Sequence, residues 1–543
     1  MRRALVLALA AGLALAIFFH VQIGNGFTVL FSDRNDGVIQ VAILEHWYNV
    51  VRGYAAWNVT GYFYPHADTL GYNDGYFLYG MIGSAFRAFG ADPFLSTALV
   101  NIVVKTIGFF AFYGFASRVI RLGSGPSLVG AMLFVIVDNS LMQANHAQLL
   151  SVAFAPLMAS LLWESGTALA DRNRVRGLVF GLAAALFYGA WILTTFYMAW
   201  FFGLFLILFA VVAAILPGFP ARRLAWHALY REAPCLALIA TGFVVALLPF
   251  LSVYLPMARA GLVHRFSDVM LYSPSVLDIV NVGPGNWLYG GLDRAYNLWL
   301  RPGLPLYSER TVGFTPLLLL MFAAGIVRVW ISRRQPEAAL IAAGAGAAVL
   351  GLLLVLHFGS FTAWHLVYAL VPGAPAVRAI SRYFIFLDFP LILTAAWALD
   401  GASRHLSATL TAAVSVLLLA EQIVLIGPIV LNRRTEMRFL ASLPLPPADC
   451  RAFYAATGEP PPAVNPAVSE FYSGNAVAML IANLEHLPTI SGWSSVVPPD
   501  WDFTYPGSGD YAARVMRYAV AHKLSGLCGL DFQKRRWLPP IGD

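Results

Sequence analysis

The segment Phe31-Ser32-Asp33-Arg34-Asn35-Asp36-Gly37 sets two carboxylates three residues apart, directly after an apolar N-terminal run from Ala4 to Ile23 that Arg2 and Arg3 flank. In a turn leading into a helix, that spacing lets Asp33 and Asp36 converge on one point, where a carboxylate can take a proton from a reacting group. A simpler role for Asp36 is that of a helix N-cap, its carboxylate accepting backbone N–H bonds. Three more ionisable residues stand in apolar runs: Lys105 midway along one, Asp388 and Glu421 near the outer ends of theirs. An ionisable group inside a membrane span is costly and is therefore a functional candidate; the alternative is an internal ion pair of Lys105 with one of the acids. Asp138, Asn139, Asn145 and His146 share one outer turn and can line the same cleft, although a histidine at a helix start is more often structural. No Cys/His cluster has zinc-site spacing. No Gly-Lys-Ser/Thr phosphate loop occurs either, which speaks against a nucleotide-driven pump.

These residues need a membrane scaffold to hold them. Over 543 residues the chain is 59% hydrophobic and only 12% charged, with mean hydropathy +0.69, against about 25% charged in soluble domains. The expected class is an all-α polytopic membrane protein. Apolar runs of spanning length, about 17 to 25 residues, predict eleven transmembrane helices at 4–23, 94–117, 127–138, 147–170, 177–193, 196–216, 234–258, 312–331, 338–358, 383–400 and 406–427. The first is read as a retained helix, because no small-x-small cleavage site precedes Phe27.

Arginine sets the orientation. Only three of the 35 basic residues are lysines (Lys105, Lys523, Lys534), and no basic cluster points to nucleic acid. With the N-terminus inside, the inner connections hold 14 basic residues in 50 positions and the outer loops about 10 in about 158, the asymmetry of the positive-inside rule. Asp33 and Asp36 then face outward. Arg433, Arg434 and Arg438, close after the last helix, pull the other way.

Outer loops 24–93 and 259–311 are too long for simple connectors, so function is expected there. In the first, Gly37 to Arg52 reads as an amphipathic helix, with Ile39, Ile43, Leu44, Trp47, Val50 and Val51 on one side and Glu45, His46, Asn49 and Arg52 opposite. Such a helix is expected to lie along the membrane surface, and Tyr76 to Phe89 reads as a second interfacial helix. The aromatic stretch between them, from Trp57 through Tyr64 and His66 to Tyr72, is either an interfacial belt or a platform for a sugar ring or an isoprenoid chain.

Several short segments carry a likeness: Asp36-Gly37 with Glu45-His46-Trp47, Phe63-Tyr64-Pro65 to Leu70-Gly71-Tyr72, His146-Ala147-Gln148-Leu149-Leu150, Val377-Arg378 to Arg382-Tyr383, Leu487-Pro488-Thr489-Ile490-Ser491-Gly492 and Pro498-Pro499-Asp500-Trp501. On these the chain resembles the polytopic GT-C glycosyltransferases, and within them a bacterial group. The resemblance implies transfer of a sugar from a polyprenyl-phosphate donor to a glycan, lipid or protein acceptor on the outer face of the bacterial inner membrane. It implies an acid of the first loop, Asp36 and then Asp33, as general base or metal ligand, with Mg or Mn the metal if one takes part. Family acids are commonly adjacent or one residue apart, so the three-residue spacing leaves open which aspartate acts and whether a metal is bound. Such a transfer needs a carboxylate to take the acceptor proton and cations to hold the departing phosphate. Arg378, Arg382 and Lys105 are the candidate cations, and Glu45, His46, Tyr64, His66 and His146 the other expected substrate-binding residues.

From Pro428 to Asp543 the chain is polar, with proline-rich linkers. Strand-like pieces at Cys450 to Tyr454, Thr489 to Ser491 and Leu527 to Phe532 alternate with helix-like pieces at Asn475 to Leu484 and Asp510 to His522. The expected organisation is a GT-C-like module over 1–427 and a small C-terminal α/β extracytoplasmic domain over 428–543. Cys450 and Cys528, both in strand-like pieces of a domain placed in an oxidising compartment, are expected to pair, leaving Cys235 unpaired. A lipid or polyol transporter or flippase is the main rival, disfavoured because no repeat of half-bundles with midplane polar groups is found. A non-catalytic scaffold is the other.

Overall fold

The first long helix begins with strong signals. Asp92 accepts N–H bonds from Phe94 and Leu95 (both 3.1 Å), and Pro93 occupies the first turn of the Pro93–Gly114 helix, since a proline there forfeits no helical bond. The computed structural model describes residues 2–216, 230–300, 307–332, 335–425, 427, 431–458, 474–506 and 508–541. Met1, Arg222, Arg223, Arg301, Arg333, Arg334 and the linker Pro460, Pro461 and Pro462 lie outside the described residues.

Among the described residues, eight helices are long and apolar enough to cross a membrane: Pro93–Val119, Ser124–Met142, Ala147–Ala170, Arg174–Thr194, Phe196–Ile215, Ala233–Arg259, Glu337–Val355 and Ile380–Ala402. The other three expected spans correspond to shorter apolar helices, Arg3–Phe18, Pro316–Ile331 and Ala408–Ala420. Ile380–Ala402, 94% buried, is the hub of the bundle, whereas Ala233–Arg259, only 11% buried, turns Val244, Val245 and Leu248 outward. Small residues permit the closest helix pairs. A Cβ at Gly189 would strike the Ala246 backbone and one at Gly325 the Thr394 carbonyl, the kind of approach that lets apolar helices gain contact in lipid.

The first loop departs from the sequence expectation. The Asp36–Val51 helix is covered on both sides and is not a surface helix. It packs on Phe77–Ala88, and Trp47 donates its indole N–H to the Gly75 carbonyl at 2.6 Å. Its polar side is covered by specific partners: Glu45 accepts two bonds from Arg87 (2.8 and 2.9 Å), and Asn49 donates to the Asn483 carbonyl (2.7 Å). That polar stripe reads as water-facing because its partners lie 42 and 434 residues away.

Val29–Leu30 pairs antiparallel with Leu431–Asn432, so the first loop and the chain beyond the last apolar helix lie on the same side. Arg433 binds Asp92 (2.8 Å) and Arg34 binds Glu436 (2.7 Å). Arg433 thus neutralises an acid of the first loop. Further on, Ala452–Ala455 runs parallel to Leu527–Asp531, which pairs antiparallel with Arg536–Ile541, a strand absent from the sequence reading. Helices Asn475–Leu484 and Tyr511–Ala521 accompany this sheet. Cys450 and Cys528 form a disulfide with their Cα atoms 5.6 Å apart, and Cys235 is buried and free. The tail is sewn to the first loop: Tyr64 N–H donates to Thr489 O (2.9 Å) and Thr489 N–H to Gly61 O (2.8 Å).

Candidate functional site

The capping role considered for Asp36 falls to Asp33. Asp33 Oδ1 accepts from the backbone N–H of Asn35 (3.0 Å), Asp36 (2.8 Å) and Gly37 (3.4 Å). The turn is tight enough to require glycine at 37, where a Cβ would lie 2.7 Å from Ser32 Oγ. Asp36 is then the first helical residue, and its Oδ2 forms an ion pair with His146 Nδ1 at 2.9 Å.

From His146 the cluster continues. Its Nε2 is 3.0 Å from Glu309 Oε1 and 2.9 Å from Arg382 Nη2, while Arg382 grips Glu309 with two bonds of 2.9 and 2.6 Å. The result is an alternating row of charges: Asp36, His146, Glu309, Arg382. Burial and Arg382 lower the pKa of His146, but Glu309 and Asp36 outweigh them and raise it to about 9. The imidazolium pairs with Glu309 through Nε2. Burial raises the pKa of Glu309, yet Arg382 and His146 hold its carboxyl well below the usual range. Asp33 moves the other way, since burial and then the charge of Asp36 push it up to about 7. Burial also pushes Asp74 up to about 6, against a 3.0 Å bond from Phe196 N–H and the pull of Arg382 and His146.

Separate elements hold this row in place. His146 immediately precedes the 3₁₀ stretch Ala147–Phe154, which Tyr76 secures by donating its hydroxyl to Gln148 Oε1 at 3.0 Å. The loop carrying Glu309 is held by Gln143, whose Nε2 donates to the carbonyls of Ser308 (2.8 Å) and Thr311 (3.1 Å). The Tyr197 hydroxyl accepts from the backbone N–H of Arg378 (2.9 Å) and Ala379 (3.2 Å), and its ring lies 5.1 Å from the Arg382 guanidinium. Arg378 stacks on Tyr272 at 5.1 Å and makes no ion pair among the described residues.

The structure therefore gathers Asp33, Asp36, His146 and Arg382, with Arg378 one turn of chain away. The other expected residues lie elsewhere. Glu45 is nine positions along the helix from Asp36, about 13 Å at 1.5 Å per residue, and is bound to Arg87. His46 donates its Nε2–H to the Trp57 carbonyl (3.0 Å), and burial pushes its pKa down to about 4, so it is a neutral structural group. Tyr64 and His66 sit at the seam with the tail, where the Tyr518 hydroxyl donates to the Tyr64 carbonyl (3.0 Å). Lys105 donates to the Val135 carbonyl (2.9 Å) and lies 4.1 Å from the Phe18 ring centroid, with no carboxylate in ion-pair range among the described residues. Asp388 accepts from Asn139 (3.0 Å), and Glu421 accepts the N–H bonds of Leu317 and Leu318 (3.0 and 2.8 Å), capping Pro316–Ile331.

Sequence reasoning missed Glu309, Asp74 and Tyr197. Glu309 stands beside Arg310 in a long loop, where adjacent opposite charges read as a solvated pair. Among the described residues no third His, Cys, Asp or Glu ligand atom joins Asp33 and Asp36 within 4.8 Å. Asp36 is paired with the cation His146, so the two aspartates as arranged offer no closed ligand set for the expected Mg or Mn ion among the described residues.

No family model and no curated protein matches the chain. Solved structures of an arabinofuranosyltransferase and of oligosaccharyltransferases are similar to it. The arabinofuranosyltransferase AftD from Mycobacteria is 15% identical with a TM-score of 0.48, covering 91% of this chain and 32% of that one. An oligosaccharyltransferase of Archaeoglobus fulgidus, solved with Zn and sulfate, is 13% identical with a TM-score of 0.47, covering 96% and 67%. The oligosaccharyltransferase AglB of the same organism, in complex with an inhibitory peptide and a dolichol-phosphate, is 12% identical with a TM-score of 0.46, covering 97% and 69%. The chain spans about a third of the length of the arabinofuranosyltransferase.

Proposed function

We propose that the chain is a membrane glycosyltransferase moving a sugar from a polyprenyl-phosphate donor to a glycan, lipid or protein acceptor, with Asp36 as the base that takes the acceptor proton. The observation that carries this reading is the Asp36 side chain, relieved of capping by Asp33 and set 2.9 Å from His146 at the head of a loop helix. As the acceptor oxygen bonds to the anomeric carbon, its proton passes to a carboxylate and the phosphate leaves with the bonding electrons. Charge then grows on the phosphate. Arg378 is the cation suited to receive it, because a guanidinium offers two parallel charge-assisted bonds. Arg382 is already matched by Glu309, and its part is to fix Glu309 and His146 behind the base. Asp33 closes the turn and ranks second as the base.

The same proposal includes eleven crossings of the bacterial inner membrane by 1–427, with 428–543 as an extracytoplasmic domain. The Cys450–Cys528 disulfide suits an oxidising compartment, and the bonds between tail and first loop support placing Asp36 on the same side as the tail. To test the reading, purified protein in nanodiscs is given a panel of hexosyl and pentosyl polyprenyl phosphates, and release of free polyprenyl phosphate is measured by mass spectrometry. Acceptor-dependent release supports it. Movement of intact donor across proteoliposomes without release would replace it with a flippase.

A further inference from the structure

A second cluster of chemistry-bearing side chains lies away from the Asp36 row, on the seam between the first loop and the tail. His66 comes from the loop, Asp500 from the Pro498-Pro499-Asp500-Trp501 segment, and His522 directly follows the Tyr511–Ala521 helix. His66 Nε2 lies 3.1 Å from Asp500 Oδ1, and His522 Nε2 lies 2.6 Å from Asp500 Oδ2. One ligand atom from each of the three falls within 4.8 Å of the others. The two imidazoles meet edge to face with centroids 5.5 Å apart, so both Nε2 atoms converge on the carboxylate. His66 Nε2 is buried and makes no hydrogen bond despite its closeness to Asp500. A buried ring nitrogen without a hydrogen-bond partner is costly and marks a place for something more.

We propose that His66, Asp500 and His522 form a zinc site that clips the C-terminal segment to the first loop. Two imidazole nitrogens and one carboxylate oxygen are the ligand types zinc takes at about 2.0–2.2 Å, leaving a fourth tetrahedral position for water. Ligand atoms in such a shell are roughly 3.3 Å apart by that geometry; here the two nitrogens lie 3.1 and 2.6 Å from different oxygens of Asp500, and one ligand atom from each residue lies within 4.8 Å of the others. Asp500 is the exposed member, its side chain 46% accessible, so the ion enters and the water position opens on the solvent side. Tyr518 limits the ring orientations: its ring packs 4.2 Å from His522 and 6.4 Å from His66, and its hydroxyl is fixed on the Tyr64 carbonyl. The clip fastens the stretch leading to Asn73, whose side chain bonds the Trp493 carbonyl (3.2 Å), and to Asp74 beside the Asp36 row.

The test uses the full chain in detergent, stripped with EDTA and titrated with Zn²⁺ alone. About one equivalent is expected to bind and to raise Tm, and Co²⁺ in its place is expected to give the visible absorption of a four-coordinate site. Asp500→Asn and His522→Ala should each weaken zinc binding by more than the about 10–100-fold that loss of an outer partner costs. Asp500→Asn keeps the size of the side chain and a hydrogen-bonding partner for His522, so it tests the site if His522→Ala proves unstable. His405→Ala, an exposed histidine after the Ile380–Ala402 helix, should still bind one equivalent. Wild-type protein that takes up no stoichiometric zinc, or an Asp500→Asn variant that binds as tightly as wild type, overturns the proposal and leaves a polar contact between tail and loop. Neither result bears on sugar transfer, which is read separately.

Discussion

Replacing Glu309 by Gln removes the carboxylate that Arg382 and His146 share, and the contacts allow its effect to be worked out. Glutamine keeps the shape and one acceptor oxygen, so the change is one of charge. Breaking a buried pair by removing one partner costs about 3–5 kcal/mol, and that is the expected loss of stability near neutral pH. His146 gives the loss a pH signature. Its folded pKa is raised from 6.5 to about 9, so the stability it contributes is fully present below pH 6.5 and is lost as pH rises through 9. At about 1.4 kcal/mol per unit, that contribution is on the order of 3 kcal/mol. Without Glu309, the burial and Arg382 that lower the pKa prevail, and the imidazole stays neutral across the window. Thermal unfolding in detergent from about pH 6 to about pH 10 should therefore show the gap between wild type and Glu309→Gln narrowing as pH rises. A gap below about 0.5 kcal/mol at pH 7, or one that does not change with pH, refutes the reasoning.

Arg378→Gln should raise the KM for donor by about tenfold or more, as loss of a hydrogen bond to a charged group implies, with stability within about 0.5 kcal/mol of wild type; Arg378→Lys should restore only part, because the two-pronged contact is gone. Donor titrations with a Tm measurement on the same samples check both. Cys450→Ser opens a link across 78 residues and should cost about 4 kcal/mol on the chain-entropy account, while mass spectrometry of unreduced wild type should find Cys235 as the free thiol. A phosphatase fused after Asp543 should be active and a cytoplasmic reporter inactive at the same place; the reverse pattern would invert the proposed topology.

Local signals made much of the fold legible. The Asn475–Leu484 helix matches its predicted bounds and the Tyr511–Ala521 helix lies within one residue of them, because apolar periodicity and helix starts are properties of neighbouring residues. What could not be read depends on partners far along the chain. Glu45 and Asn49 present a polar stripe that any periodicity analysis turns toward water, and only Arg87 and Asn483 reverse it. The candidate site divides in the same way. Asp36, His146 and Arg382 were visible as charged residues at the edges of apolar runs. Glu309, which balances two of them, stood in a loop whose position is set by Gln143, 165 residues before Ser308. The exchange of roles between Asp33 and Asp36 was equally hidden, because either aspartate can begin that helix and only the folded turn, with Asp33 on the backbone N–H groups and Asp36 on His146, tells them apart.

The most direct test of the account is the transfer rate of Asp36→Asn beside Asp33→Asn, each purified and matched for folding by Tm. Asparagine keeps the size and polarity of the side chain but cannot take a proton. Loss of a catalytic base is expected to lower kcat by about 10²–10⁴-fold, while the helix start, capped by Asp33, stays intact in Asp36→Asn. Asp33→Asn should retain far more of the rate, because asparagine also caps helices well. If both variants transfer sugar at the wild-type rate, the first-loop carboxylates are structural and the catalytic assignment is wrong.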